Sequence, residues 1–207
     1  MNEINGKPEA ETIWECLVTS IERFNTSSDQ DTLLRPRNRR SPRGPAAGER
    51  AIAHRLAYYL ERALRKAKLI KDKGALVVDC EYNRHGGAAK ALATEFELKH
   101  IVQEARKKKN WEPDEDGRYI FSIEPDIVVH ERGHDRRNRL VIEVKKASNG
   151  ETPKYDALKL ELFTIPRQSD YGYGYSLGAW VIAEDKCEAN DRKLRIAQKW
   201  KDGKPIE

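Results

Sequence analysis

The chain has 207 residues, enough for one domain with extensions and a buried core but too few for several large domains. Charged residues make up 35% of it against 38% hydrophobic, so a modest core carries a heavily charged surface, and a net charge of +5 with a pI near 9.0 permits a polyanionic partner without requiring one. No apolar run approaches a membrane span, the polar N-terminus is unlike a signal peptide, and the widely spaced Cys16, Cys80 and Cys187 match no metal-ligand pattern; the expectation is a reduced, cytoplasmic protein with no membrane partner.

In chain order, residues 9–25 place Ile13, Trp14, Leu17, Val18, Ile21 and Phe24 at helical spacing behind an acidic first turn, which predicts an amphipathic helix packed on the core or on a second copy. From Thr26 to Gly48 the chain turns rich in Ser, Pro and Arg. Prolines 36, 42 and 45 forbid a continuous helix there, so Arg35, Arg37, Arg39, Arg40 and Arg43 lie on a loop or arm. Two readings stay open for it, a phosphate-contacting arm and a solvated basic linker.

A second helix is predicted from Pro45, with Ile52, Leu56, Tyr59, Leu60, Ala63 and Ala67 as its buried stripe. Glu49 lies on that stripe, where a carboxylate is costly unless paired, protonated or metal-bound; it also suits the first turn of a helix dipole. Arg50 and Arg55 fall off the stripe and face solvent or phosphate. Residues 75–82 read as a strand with a dense Val77-Val78 centre, and Asp79 and Glu81 share one of its faces. A helix over about 95–109, ending in Arg106 to Lys109, and a strand through Tyr119-Ile120-Phe121 follow.

Residues 124–146 predict a β-hairpin: Ile127 to Val129 and Leu140 to Val144 have β-branched density, and Arg132-Gly133 supplies the turn. Alternation puts Leu140, Ile142 and Val144 on one face and Val141, Glu143 and Lys145 on the other; a register that buries both apolar sets brings Asp126 near Glu143. Two carboxylates and an ammonium then converge. Magnesium takes oxygen ligands of this kind, and a nearby lysine can orient a nucleophilic water or offset charge developing on a phosphate. The bland reading is a hairpin with one solvated face, where Glu and Lys two apart are common.

Beyond the hairpin, Thr152-Pro153 can open a helix carrying Ala157, Leu158, Leu162 and Phe163. The run 176–183 reads as a strand, and the β-α-β connection implies parallel pairing. Tyr171, Tyr173 and Tyr175 before it fit either a surface turn or a base-stacking loop. A basic amphipathic helix over about 190–200, through Leu194, Ile196, Ala197 and Trp200, closes the chain.

Pro125-Asp126, the hairpin turn and Glu143-Val144-Lys145 together resemble the signature of the PD-(D/E)xK nuclease superfamily, the restriction-endonuclease-like fold, over about residues 48–184. The resemblance implies an α/β fold, a mixed sheet flanked by helices with an αβββαβ core, an N-terminal helix and an inserted segment. It implies a division into residues 1–47, helix and basic arm, and 48–207, a catalytic domain ending in a helix. By it Asp126 and Glu143 bind Mg2+, with Mn2+ as a substitute, Lys145 assists the attacking water, Glu49 is a candidate third ligand, and Asp156 and Lys159 are supporting residues. The implied activity is phosphodiester hydrolysis of nucleic acid, DNA first, in restriction, repair or phage defence, with Arg37, Arg39, Arg40 and Arg50 as nucleic-acid contacts and a homodimer or defence-system protein as further partner. The alternative is a catalytically silent nucleic-acid-binding or protein-interaction module that keeps the fold.

Overall fold

In the computed structural model the described residues are 3–4, 7–34, 47–71, 75–82, 84–85, 88–89, 91–94, 115, 119–122, 124–133, 137–149, 153–166, 173–185 and 191–207. The elements in order are β1 (Glu3–Ile4), β2 (Lys7–Pro8), α1 (Glu9–Asn25), α2 (Ser28–Leu33), α3 (Glu49–Lys66), β3 (Leu76–Cys80), β4 (Arg84–His85), β5 (Ala88–Ala89), β6 (Ala91–Thr94), β7 (Tyr119–Ser122), β8 (Ile127–Glu131), β9 (Leu140–Lys146), α4 (Pro153–Thr164), β10 (Leu177–Ala183), β11 (Leu194–Lys201) and β12 (Lys204–Ile206). The fold is α/β, with a six-stranded mixed sheet in the order β12-β11-β10-β9-β8-β3. From α3 onward the helices and the strands of this sheet run α3, β3, β8, β9, α4, β10, β11, β12. Among the described residues no helix is long and apolar enough to cross a membrane.

The hairpin forms in the register that alternation demands: Ile127 faces Ile142 and Val129 faces Leu140 across the antiparallel pair. One face of the sheet buries Ile127, Val129, Leu140, Ile142 and Val144 under α1 and α3, in a core that also holds Ile13, Leu17, Phe24, Ile52, Leu56 and Leu60. The opposite face buries Val128 and Val141 under α4 with Leu160 and Phe163. Helices thus cover both faces, as strands apolar on both sides require. α1 belongs to this core and is tied to the hairpin by Glu9, which accepts hydrogen bonds from Arg137 (3.1 Å) and Arg139 (3.0 and 3.1 Å).

After β9 a single 3₁₀ turn (Ala147–Asn149) precedes α4, which returns the chain to β10, parallel to β9 with Val181 opposite Val144. α4 approaches β10 closely at Gly178. A Cβ on that residue would stand 3.1 Å from Thr164 Cγ2, 3.1 Å from Trp200 Cβ and 3.3 Å from Leu160 Cδ2, tighter than ordinary contact.

Two expectations need correction. Residues 194–201 form a strand, not a helix: β11 pairs antiparallel with β10, and its register skips Ala197, since Ile196 lies opposite Val181 and Gln198 opposite Trp180. That bulge reverses the alternation, so Leu194 and Ile196 pack beneath α1 and α3 while Trp200 packs beneath α4. Tyr173 and Tyr175 lie neither on a surface turn nor on a base-stacking loop. They are buried, 8% and 1% exposed, with both rings 5.6 Å from Phe163. The basic arm, the helix expected over 95–109 and Tyr171 lie outside the described residues.

Candidate active site

Asp126 lies one residue before β8, Glu143 and Lys145 alternate along β9, and the first two turns of α4 bring Asp156 and Lys159 over the same face. Glu49 is the first residue of α3 and reaches the end of β9 from the other side. One carboxylate oxygen of Glu49 accepts from the Lys146 amide (2.8 Å) and Asn149 Nδ2 (3.0 Å), and the other lies 3.8 Å from Lys145 Nζ. Glu49 therefore fastens the start of α3 to the end of β9, beyond any favour from the helix dipole.

The remaining contacts form a chain of alternating charge. Lys145 Nζ is 3.6 Å from Asp156, whose other oxygen is 3.2 Å from Lys159 Nζ, and Lys159 in turn donates to Glu143 Oε2. Asp126 accepts the Val144 amide at 2.6 Å. Burial pushes Asp126 up to about 6, against the Val144 hydrogen bond and the Lys159 charge, which lower it. Burial also holds Glu143 well above the usual carboxylate range, with Lys159 opposing. Lys159 is raised: burial pulls it down, but the Glu143 and Asp156 charges outweigh that.

Two observations fit a divalent cation here. Glu143 is 3% exposed, and its Oε1 is buried with no hydrogen-bond partner, a state that costs about 1–3 kcal/mol or more for a charged group. Four carboxylates, on Glu49, Asp126, Glu143 and Asp156, are also set against two ammonium groups, on Lys145 and Lys159. One observation stands against a ready-made centre: among the described residues no three His, Cys, Asp or Glu side chains are grouped so as to hold a metal. Lys159 occupies one of the two Glu143 oxygens, Oε2, and leaves Oε1.

The structure thus brings Glu49, Asp126, Glu143 and Lys145 together, and adds Asp156 and Lys159 as charged members of the same chain of contacts. Arg50 is exposed and paired with Glu81 (2.5 Å), while Arg37, Arg39 and Arg40 lie outside the described residues. Asp79 does not join the cluster; it binds Arg132 and, at 3.0 Å, His130 Nε2. Glu81 comes closer, donating its backbone amide to the Asp126 carbonyl at 3.2 Å, but its carboxylate faces Arg50.

A buried support beside the site was missed. Lys146 Nζ donates to the Ala47 carbonyl (3.0 Å) and pairs with Asp185 (3.1 Å), and Asp185 also accepts the Ser148 amide (2.8 Å) and hydroxyl. Glu184-Asp185-Lys186 reads as a solvated charge run after a strand, so nothing local marks Asp185 as buried.

No protein-family model matches the chain, and no curated protein and no solved structure matches it.

Proposed function

We propose that this chain is a metal-dependent nuclease of the PD-(D/E)xK type, on a restriction-endonuclease-like αβββαβ core, hydrolysing phosphodiester bonds of DNA in the cytoplasm in restriction, repair or phage defence. The observation that carries the reading is the placement of Asp126, just ahead of β8, beside Glu143 on the neighbouring β9, with Lys145 two residues on and Glu49 arriving from the helix before the sheet. Bound Mg2+ or Mn2+ would polarise the scissile phosphate and lower the pKa of a coordinated water. Asp126 and Glu143 would hold it, and the buried Glu143 Oε1 is the oxygen with coordination to spare. Lys145, steadied between Glu49 and Asp156, would orient the attacking water and offset charge developing on the phosphate.

The test is a panel of labelled DNA and RNA, duplex, branched and single-stranded, incubated with Mg2+ or Mn2+. Metal-dependent cleavage that disappears in Asp126→Asn and Glu143→Gln supports the reading, and full activity in either variant sinks it. The lack of a ready-made three-ligand group among the described residues favours a second reading, a nucleic-acid-binding module without turnover. Binding without cleavage under either metal would select that one. For the arm, Arg37, Arg39 and Arg40 replaced together by Gln should flatten the dependence of log affinity on log salt by roughly two to three units. An unchanged slope makes the arm a linker.

A further inference from the structure

Lys159 is a long side chain that reaches down from α4, and it ends 7% exposed between two acids, touching Glu143 Oε2 and standing 3.2 Å from Asp156 Oδ1. Its ammonium is also 5.3 Å from the centre of the Tyr155 ring, a face that attracts cations. Carboxylate, carboxylate and ring are the surroundings of a bound cation, and here the cation is covalently attached. Glu143 therefore has two unlike oxygens. Oε2 is neutralised by Lys159, whereas Oε1 is buried and unpartnered.

Charge balance limits what else the site can take. With all four carboxylates deprotonated, the state in which they can ligate a metal, four against two ammonium groups leave two negative charges, which a single divalent ion cancels. A second divalent ion would leave the site as unbalanced as no ion at all, with opposite sign, and uncompensated charge is strongly disfavoured beside the buried Glu143, Asp156 and Lys159. The oxygens that would bind a second ion, Glu143 Oε2 and Asp156 Oδ1, are those Lys159 bridges.

We propose that Lys159 is a resident substitute for a second metal ion, so that the site, on the nuclease reading above, takes one divalent cation at the Glu143 Oε1 side and not two. Lys159 then acts as a positioning residue. It holds Glu143 in one orientation and closes the second metal position.

The experiment is calorimetric titration of the full metal-free chain with Mn2+ alone, with paramagnetic resonance of the loaded protein to detect coupling between neighbouring Mn2+ ions. Wild type and Lys159→Arg should bind one Mn2+ per chain and show no coupling. Lys159→Met, which releases Glu143 and Asp156 to each other, should bind two with coupled spectra. Two coupled ions in the wild type would overturn the proposal and leave the nuclease reading standing. A single ion in folded Lys159→Met, bound with wild-type affinity, would also overturn it. No Mn2+ binding by any of the three chains would overturn the nuclease reading, and this proposal with it. If Lys159→Met does not fold, the wild-type stoichiometry decides.

Discussion

Lys146 and Lys159 are both buried beside acids near the end of β9, on opposite faces of the sheet, and their surroundings differ in what they leave over. The Lys146 ammonium has Asp185 and the Ala47 carbonyl, and both Asp185 oxygens are used, by Lys146 and by the Ser148 amide and hydroxyl. Lys159 has Glu143 and Asp156, but Glu143 keeps a buried oxygen with no partner. Burial of an ion pair is thus common to both. A saturated pair ties three segments together, whereas an unsaturated one retains a demand for a ligand.

The amide substitutions at Asp126 and Glu143 test that contrast with the largest expected effect: a loss of metal-dependent cleavage of about 10⁴-fold or more, read as single-turnover rates. Asp185→Ala should act on the other pair, costing about 3–5 kcal/mol in a denaturant melt because a buried ammonium loses its counter-charge, with Mn2+ stoichiometry unchanged in the folded fraction. An altered stoichiometry there would break the comparison.

A smaller effect is expected from pH. Burial pushes the Asp126 carboxyl up to about 6, above the unfolded value near 3.9, so the folded chain holds that proton more tightly than the unfolded one. Its contribution to metal-free stability is therefore fully present below about pH 4 and is lost as pH rises through about 6. Asp126→Asn should abolish that slope and raise metal-free stability at pH 8 by up to about 3 kcal/mol in thermal melts. A wild-type melt that is flat between pH 4 and 8, once other carboxylates are accounted for, would count against an unsatisfied site. The smallest effect belongs to Arg50, whose exposed pair with Glu81 should contribute about 0–1 kcal/mol. Arg50→Gln should leave the melt nearly unmoved, and flatten the salt dependence of DNA binding by about one unit if Arg50 meets phosphate.

The hairpin, its register and the two helices that sandwich it were readable because β-branched runs and helical stripes there agree with the tertiary pairing. Residues 194–201 misled because Arg195, Ala197, Gln198 and Lys199 are good helix formers, and the bulge at Ala197 spaces Leu194, Ile196 and Trp200 as no regular strand does. α2 is a single short helix whose Ser27 cap accepts the Asp29 amide at 3.2 Å; the Ser and Thr around it read as loop. At the site, Asp126, Glu143, Lys145 and Glu49 followed from alternation and helical position. Asp156 and Lys159 were recognisable as a helical pair, but that Lys159 and not Lys145 would grip Glu143 depends on how deeply α4 sits, which no periodicity encodes.

Gly178 is one place where α4 comes close to the sheet. With only hydrogen there, Leu160 and Thr164 rest almost on the β10 backbone, and Lys159, next in sequence to Leu160, is carried down with them. A methyl group at Gly178 would act as a shim between β10, α4 and Trp200, whose atoms would have to give by a few tenths of an ångström. The missing carbon is on a strand with no acid or base at the site, yet it lies under the helix that carries the Lys159 ammonium.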